Sequence, residues 1–199
     1  MKKNITREQI VETALELMKN KSDLRGINMR EIARTLGCAH TNIYNYFPSY
    51  NDLLWEAHAA LQELFMSIFT QKLSTANSCE MQLTYFFEAF IDIYLSNKGW
   101  FWLAWHEHID DERPKRDVET TKKANEELNR YISSIWKELS GSYPDADHVR
   151  IVLHNTHCYI VGEISNYLLG RGLIDDEAEL KAYIAHEAAL MFKLCLLGE

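Results

Sequence analysis

The sequence predicts an all-α protein, an N-terminal three-helix domain followed by a larger helical one. Three features carry this expectation. Only three prolines and eight glycines interrupt 199 residues, apolar residues recur at helical spacing almost throughout, and helix-start residues are followed by Gln or Glu three positions on. Thr6 with Gln9 forms a capping box, and Ile10, Val11, Ala14, Leu15 and Met18 share one face of the first helix. Asp23 to Gly26 is a connecting loop. Asn28 with Glu31 signals a second start, Met29, Ile32, Ala33 and Leu36 supply an i, i+3, i+4, i+7 stripe, and Gly37 is the stop. After a short turn Thr41 opens a helix ending at Phe47-Pro48, within which Ile43 and Phe47 are packing residues.

Ser49 caps a long fourth helix with Leu53, Leu54, Ala57, Leu61, Leu64, Phe65, Ile68 and Leu73 on its apolar face. At ~1.5 Å per residue it spans ~33 Å. Residues 74–78 form a loop and 80–95 another helix. Asn97-Lys98-Gly99 breaks that helix, and 100–109 resumes it. The polar run DDERPKRD at 110–117 is a loop, and 118–139 is an amphipathic helix with Leu128, Ile132, Ile135 and Leu139 inward. Two helices remain, about 146–169 and 176–197, separated by Gly170-Arg171-Gly172. The domain boundary is expected between residues 52 and 53, giving domains 1–52 and 53–199.

Two short helices joined by a four-residue turn, the second opening on small polar residues, make a helix-turn-helix that lays its second helix in the DNA major groove. In that helix His40, Thr41, Asn42, Tyr44, Asn45 and Tyr46 are dense in hydrogen-bonding groups; Asn suits adenine, and Thr or His reaches base edges or phosphate. The other reading is an exposed polar helix end without a partner.

The segment Ile5 to Ala57 resembles the DNA-binding domain of the TetR family of transcriptional regulators. The matching words are ITREQIVETALELM, INMREIARTLG and HTNIYNYF followed by Asp52-Leu53-Leu54, with Tyr44-Asn45-Tyr46-Phe47 the most specific. The resemblance implies a double-stranded DNA operator as partner, with Asn28, Arg30, His40, Thr41, Asn42, Tyr44, Asn45, Tyr46 and Tyr50 as candidate DNA-binding residues. It also implies dimerisation through the last two helices as a four-helix bundle. One departure stands out: the family places a Lys two residues after the position of Pro48, where it meets a DNA phosphate, and this sequence has Tyr50. A phenol can hydrogen-bond a phosphate oxygen but releases no counterion, so affinity suffers more than register.

Net charge is −8, yet its distribution is uneven. Residues 1–55 hold Lys2, Lys3, Arg7, Lys19, Lys21, Arg25, Arg30 and Arg34 against six acidic groups, a net of +2, which leaves −10 on the remainder. A mildly basic reader on an acidic body suits a DNA-binding protein whose other domain stays off DNA. The N-terminus MKKNITREQIV has no apolar run, no segment approaches ~20 apolar residues, and Cys38, Cys79, Cys158 and Cys195 form no C-x-x-C pair. A cytoplasmic protein with reduced thiols and no membrane partner is expected.

The last two helices are apolar nearly all round, beyond the ~100° arc that a helix facing only its own core requires. A second buried face supplied by another subunit is expected, with Ile160, Ile164, Leu168, Ile184, Ala188 and Met191 at a homodimer interface; deep burial in a monomer is the alternative. An aromatic concentration in the second domain suits an apolar pocket with a few polar anchors. The candidate effector-binding residues are Phe86, Phe90, Tyr94, Trp100, Phe101, Trp105, His106, Trp136, His154 and His157; ordinary core is the competing reading. His106-Glu107-His108 lacks the H-E-x-x-H zinc spacing, and no P-loop, G-x-G-x-x-G or G-x-S-x-G is present, so no metal, cofactor or enzymatic activity is expected. The expected function is a dimeric repressor released from a palindromic operator by a small-molecule effector. A helical ligand-binding scaffold of the same fold with weakened DNA binding is the alternative.

Overall fold

The computed structural model describes residues 5–197, leaving Lys2 and Lys3 of the basic count outside the described residues. Every regular element among them is a helix: α1 (Arg7–Met18), α2 (Met29–Leu36), α3 (His40–Ile43), α4 (Tyr50–Leu73), α5 (Cys79–Ser96), α6 (Lys98–Trp105), α7 (Lys115–Ser140), α8 (Ala146–Leu168) and α9 (Glu177–Leu197). None is long and apolar enough to cross a membrane.

The helices start where local chemistry says they should. Thr6 Oγ1 accepts from the Gln9 amide while the Gln9 side chain accepts from the Thr6 amide, closing the capping box. Asn28 Oδ1 accepts from the amides of Arg30 and Glu31. Ser49 and Asp52 exchange side-chain-to-backbone bonds at the start of α4, and Asp145 Oδ1 caps α8. Gly37 ends α2 in the left-handed region at φ 70°, which a side chain would disfavour. Three expected stretches differ, the first being the polar run 110–117 read as a loop: α7 opens within it at Lys115, directly after Pro114, and not at Val118. α3 opens at His40, one residue early, and Tyr44 to Tyr46 continue only as turns. α6 stops at Trp105, so 106–109 is not helical.

The chain divides into two compact units, Met1–Leu64 with Ser96–Lys122, and Phe65–Leu95 with Lys123–Glu199. α4 is one continuous helix, so the functional boundary expected at 52/53 falls in its first turn, and the compact units part at Leu64/Phe65.

In the first unit α1 packs on α2 and α6, and α2 packs on α3. Ile10, Ala14, Met18, Ile32, Ile43 and Phe47 are among its fully enclosed side chains. α6 supplies donors to the end of α1: the Gly99 amide donates to the Lys19 carbonyl at 3.0 Å, and Trp100 Nε1 donates at 2.9 Å to the Leu15 carbonyl, which also accepts the Lys19 amide. A Cβ on residue 99 would lie 1.8 Å from the Met18 carbonyl oxygen, so only glycine fits. In the second unit α8 packs on α9. Its core joins Phe69, Phe86, Phe90 and Tyr94 with Ile160, Ile164, Ile184, Ala188 and Phe192, around a fully buried Trp136.

Candidate nucleic-acid interface

The helix-turn-helix is built as the sequence requires. Met29, Ile32 and Ala33 bury one face of α2, with Leu36 half-buried, and Ile43 and Phe47 lock the segment 40–47 from below. The polar groups are left outward. His40, Thr41, Tyr44 and Asn45 are exposed, Tyr44 by 49%, and Asn42 is half-buried. His40 and Tyr44, one turn apart, meet edge to face at 6.3 Å. Arg30 and Arg34 are exposed on α2; Arg34 lies 3.4 Å from Glu31, an exposed contact that stabilises little. Asn28 is exposed with its Oδ1 engaged as the α2 cap. This face offers acceptors, donors and two guanidiniums in a small area, the inventory that base edges and phosphates require.

Two candidates turn inward. The Tyr46 hydroxyl donates to the Ile5 carbonyl, and its own carbonyl receives Arg7 Nη1 at 2.8 Å, so Tyr46 ties the segment to the start of α1. The Tyr50 hydroxyl, expected on a phosphate, is buried without a hydrogen-bond partner. Burial, then the carboxylates of Glu107 and Glu31, push this phenol well above its ordinary range and keep it neutral.

The ten effector candidates divide between the two units. Trp100, Phe101, Trp105 and His106 belong to the first unit, the other six to the second. Trp100 and Phe101 are buried, Trp100 spent on α1, so they act as core and not as lining. Trp105 is 44% exposed, and the His106 ring lies tilted 4.6 Å from Trp102, where burial lowers its pKa. Trp136 is also core, edge-on to Phe192 and His148 at 5.3 Å each. A cluster does form in the second unit. The His157 ring lies 4.5 Å from Phe90 and 6.4 Å from Tyr94, beside Phe65, Phe69, Phe86 and Tyr131. Burial, then His154, lowers the His157 pKa to about 4, so its imidazole is neutral. His154 itself is exposed.

The interface candidates need the same correction. Ile160, Ile164, Ile184 and Ala188 are buried in the protomer's own core, leaving Leu168 and Met191 half-buried. The outward apolar residues are others: Tyr183, Leu190 and Leu194 along one face of α9, Ile151 on α8 and Leu169 at the α8 C-cap. Apolar side chains thus remain outward on these helices, in a different phase from the expected set. No group of three or more His, Cys, Asp or Glu placed to hold a metal occurs among the described residues.

Sequence reasoning missed Arg7, Glu56 and Gly99. A cation in the first turn of a helix opposes its dipole, which was the one available signal for Arg7. Glu56 and Gly99 act through partners tens of residues away, with no local signature.

No protein-family model matches the chain, and no curated protein matches it in sequence. Solved structures do match in fold. A protein of unknown function from Rhodococcus sp. RHA1 superposes with TM-score 0.74 at 13% identity, over 94% of this chain and 95% of that one. A TetR-family transcriptional regulator from Bordetella parapertussis 12822 gives 0.66 at 16% identity, over 94% and 93%. The transcriptional regulator FadR from Bacillus subtilis, solved in complex with stearoyl-CoA, gives 0.65 at 13% identity, over 92% and 98%. The likeness runs along nearly the whole of each chain while few residues are shared: this protein has the fold of the TetR-family transcriptional regulators.

Proposed function

We propose that this protein is a DNA-binding transcriptional regulator of the TetR type, a homodimeric repressor that leaves a palindromic operator when a small-molecule effector binds. The observation that carries this is the outward patch of His40, Thr41, Tyr44 and Asn45, held by a buried Ile43 and Phe47 on a capped helix-turn-helix. Residues 1–52 read DNA, and 53–199 take effector and partner. Two such units reach successive major grooves about 34 Å apart. The second copy covers Tyr183, Leu190 and Leu194 of α9 with Ile151 of α8 and Leu169 at its C-cap, whose exposure in one chain is otherwise costly. The effector belongs beside the aromatic cluster of the second unit. There a neutral His157 among Phe90, Tyr94 and Phe86 offers an apolar wall with one polar anchor. The acidity of residues 56–199 favours a neutral or cationic compound with substantial apolar surface. Its effect on DNA can be no larger than its affinity difference between DNA-competent and other arrangements. Such a regulator works in the cytoplasm, with its cysteines unpaired as they are here.

A scaffold of the same fold with little DNA affinity is the second reading, favoured by the inward Tyr50 and the weak basic charge of residues 1–55. Selection from a pool of random duplexes by the purified protein at low salt separates the two. A repressor enriches a two-fold symmetric motif; a scaffold enriches nothing.

A further inference from the structure

Arg7 sits in the first turn of α1, where the helix dipole disfavours a cation, so its partners must hold it there. It donates from Nη1 to the Tyr46 carbonyl and from Nη2 to Glu56 Oε2, both at 2.8 Å, and its guanidinium lies 4.2 Å from the centre of the Phe47 ring. One side chain thus grips the end of the recognition segment by its backbone and by its buried aromatic. The Glu56 carboxylate is only 11% exposed, and its second oxygen, Oε1, meets Arg116 Nη1 in the first turn of α7. Arg116 reaches Glu63 at 3.5 Å as well. The same turn of α7 has a second attachment to α4. Buried Asp117 receives His58 Nδ1 at 2.6 Å on one oxygen and Arg113 Nε on the other, and Arg113 Nη2 donates to Thr121 at 2.6 Å.

We propose that Arg116, Glu56 and Arg7 form a positioning relay, in which the seating of the first turn of α7 on α4 sets how firmly Tyr46 and Phe47 are held. The physical basis is the shared carboxylate. Two charge-assisted contacts from half-exposed arginines orient the mostly buried Glu56, and each cation fixes the carboxylate that the other one needs. Lifting Arg116 away leaves Glu56 free to rotate, which loosens Arg7 and with it the Tyr46 carbonyl. The His58–Asp117–Arg113 contacts give the α7 turn a defined seat from which it can be displaced as a unit. The relay deepens the DNA-binding function proposed above and rests on it only for its effect on affinity; its effect on the recognition segment does not depend on DNA.

The test is amide hydrogen exchange by NMR on the full chain. The amides of Tyr46 and Phe47 bond to the Ile43 carbonyl at 2.9 and 3.0 Å and report the segment directly. Arg116→Gln should speed their exchange by about threefold or more, leaving the amides of Ile32 and Ala33 in α2 unchanged. Arg116→Lys should restore most of the protection. Arg7→Gln should give the same acceleration, and the double variant Arg7→Gln/Arg116→Gln no further one, since both break a single chain. Glu56→Gln, which keeps the packing, should match them if either arginine variant is poorly folded. Unchanged Tyr46 and Phe47 amides in Arg116→Gln, or accelerations that multiply in the double variant, would overturn the relay. On a selected duplex, Arg116→Gln should weaken binding by about threefold although Arg116 is not on the DNA-facing patch. If wild type binds no duplex, the DNA function fails while exchange still decides the relay.

Discussion

Replacing Tyr50 by Phe removes one oxygen, and the structure gives that oxygen no hydrogen-bond partner. An unpaired buried hydroxyl costs roughly 1–3 kcal/mol of desolvation, which Phe does not incur. The residue as a whole is half-buried, so the lower end applies, and Tyr50→Phe should stabilise the protein by about 1 kcal/mol. At this chain length that corresponds to a rise in melting temperature of about 2–4 °C. Thermal and urea melts of both proteins measure it, and anisotropy on a selected duplex should show unchanged affinity. A destabilisation of about 1 kcal/mol or more would mean that the hydroxyl has a partner. Weaker DNA binding at equal stability would place it on a phosphate. Tyr50→Lys tests the same geometry from the other side. An ammonium here faces Glu107 and Glu31, so the salt dependence of DNA binding should steepen by well under the one unit that a phosphate contact gives.

Tyr44→Ala should weaken specific DNA binding by ~1–3 kcal/mol, read by anisotropy, with little change in melting temperature, because the ring is exposed. Leu194→Glu, at a position 58% exposed on α9, should dissociate the proposed dimer in analytical ultracentrifugation without unfolding the protomer, whereas Ile164→Glu should unfold it. His157 has a folded pKa near 4 against an ordinary 6.5, so the unfolded chain takes up a proton first as pH falls. Its contribution is fully present above about pH 6.5 and is lost between there and about pH 4, on the order of 3 kcal/mol. His157→Phe should flatten that part of the urea-midpoint profile.

Local features were legible in the sequence because they act within a turn. The Thr6–Gln9 box, the Asn28 cap, the Gly37 stop and the buried faces of α1 and α2 all follow from spacing alone. The outward patch around Tyr44 followed from the same periodicity. What failed was direction set by distant partners. Tyr46 and Tyr50 read as surface phenols, but Ile5, forty-one residues upstream of Tyr46, claims one hydroxyl and packing encloses the other. In α8 and α9 apolar residues surround the helix, so periodicity shows a second face without saying which residues form it; Ile160 and Ile184 proved to be inward, Leu190 and Leu194 outward. Trp100 read as pocket lining because nothing local reveals that its indole closes the end of α1.

The proposal that the His40–Asn45 face reads DNA is tested most directly by running the random-duplex selection with wild type and Tyr44→Ala side by side, followed by titration of the enriched duplex at two salt concentrations. The expected result is a two-fold symmetric motif with half-sites about one helical turn apart, enriched by wild type and lost or broadened by the variant. No enrichment by wild type at low salt, or the same motif recovered equally well by Tyr44→Ala, would contradict it.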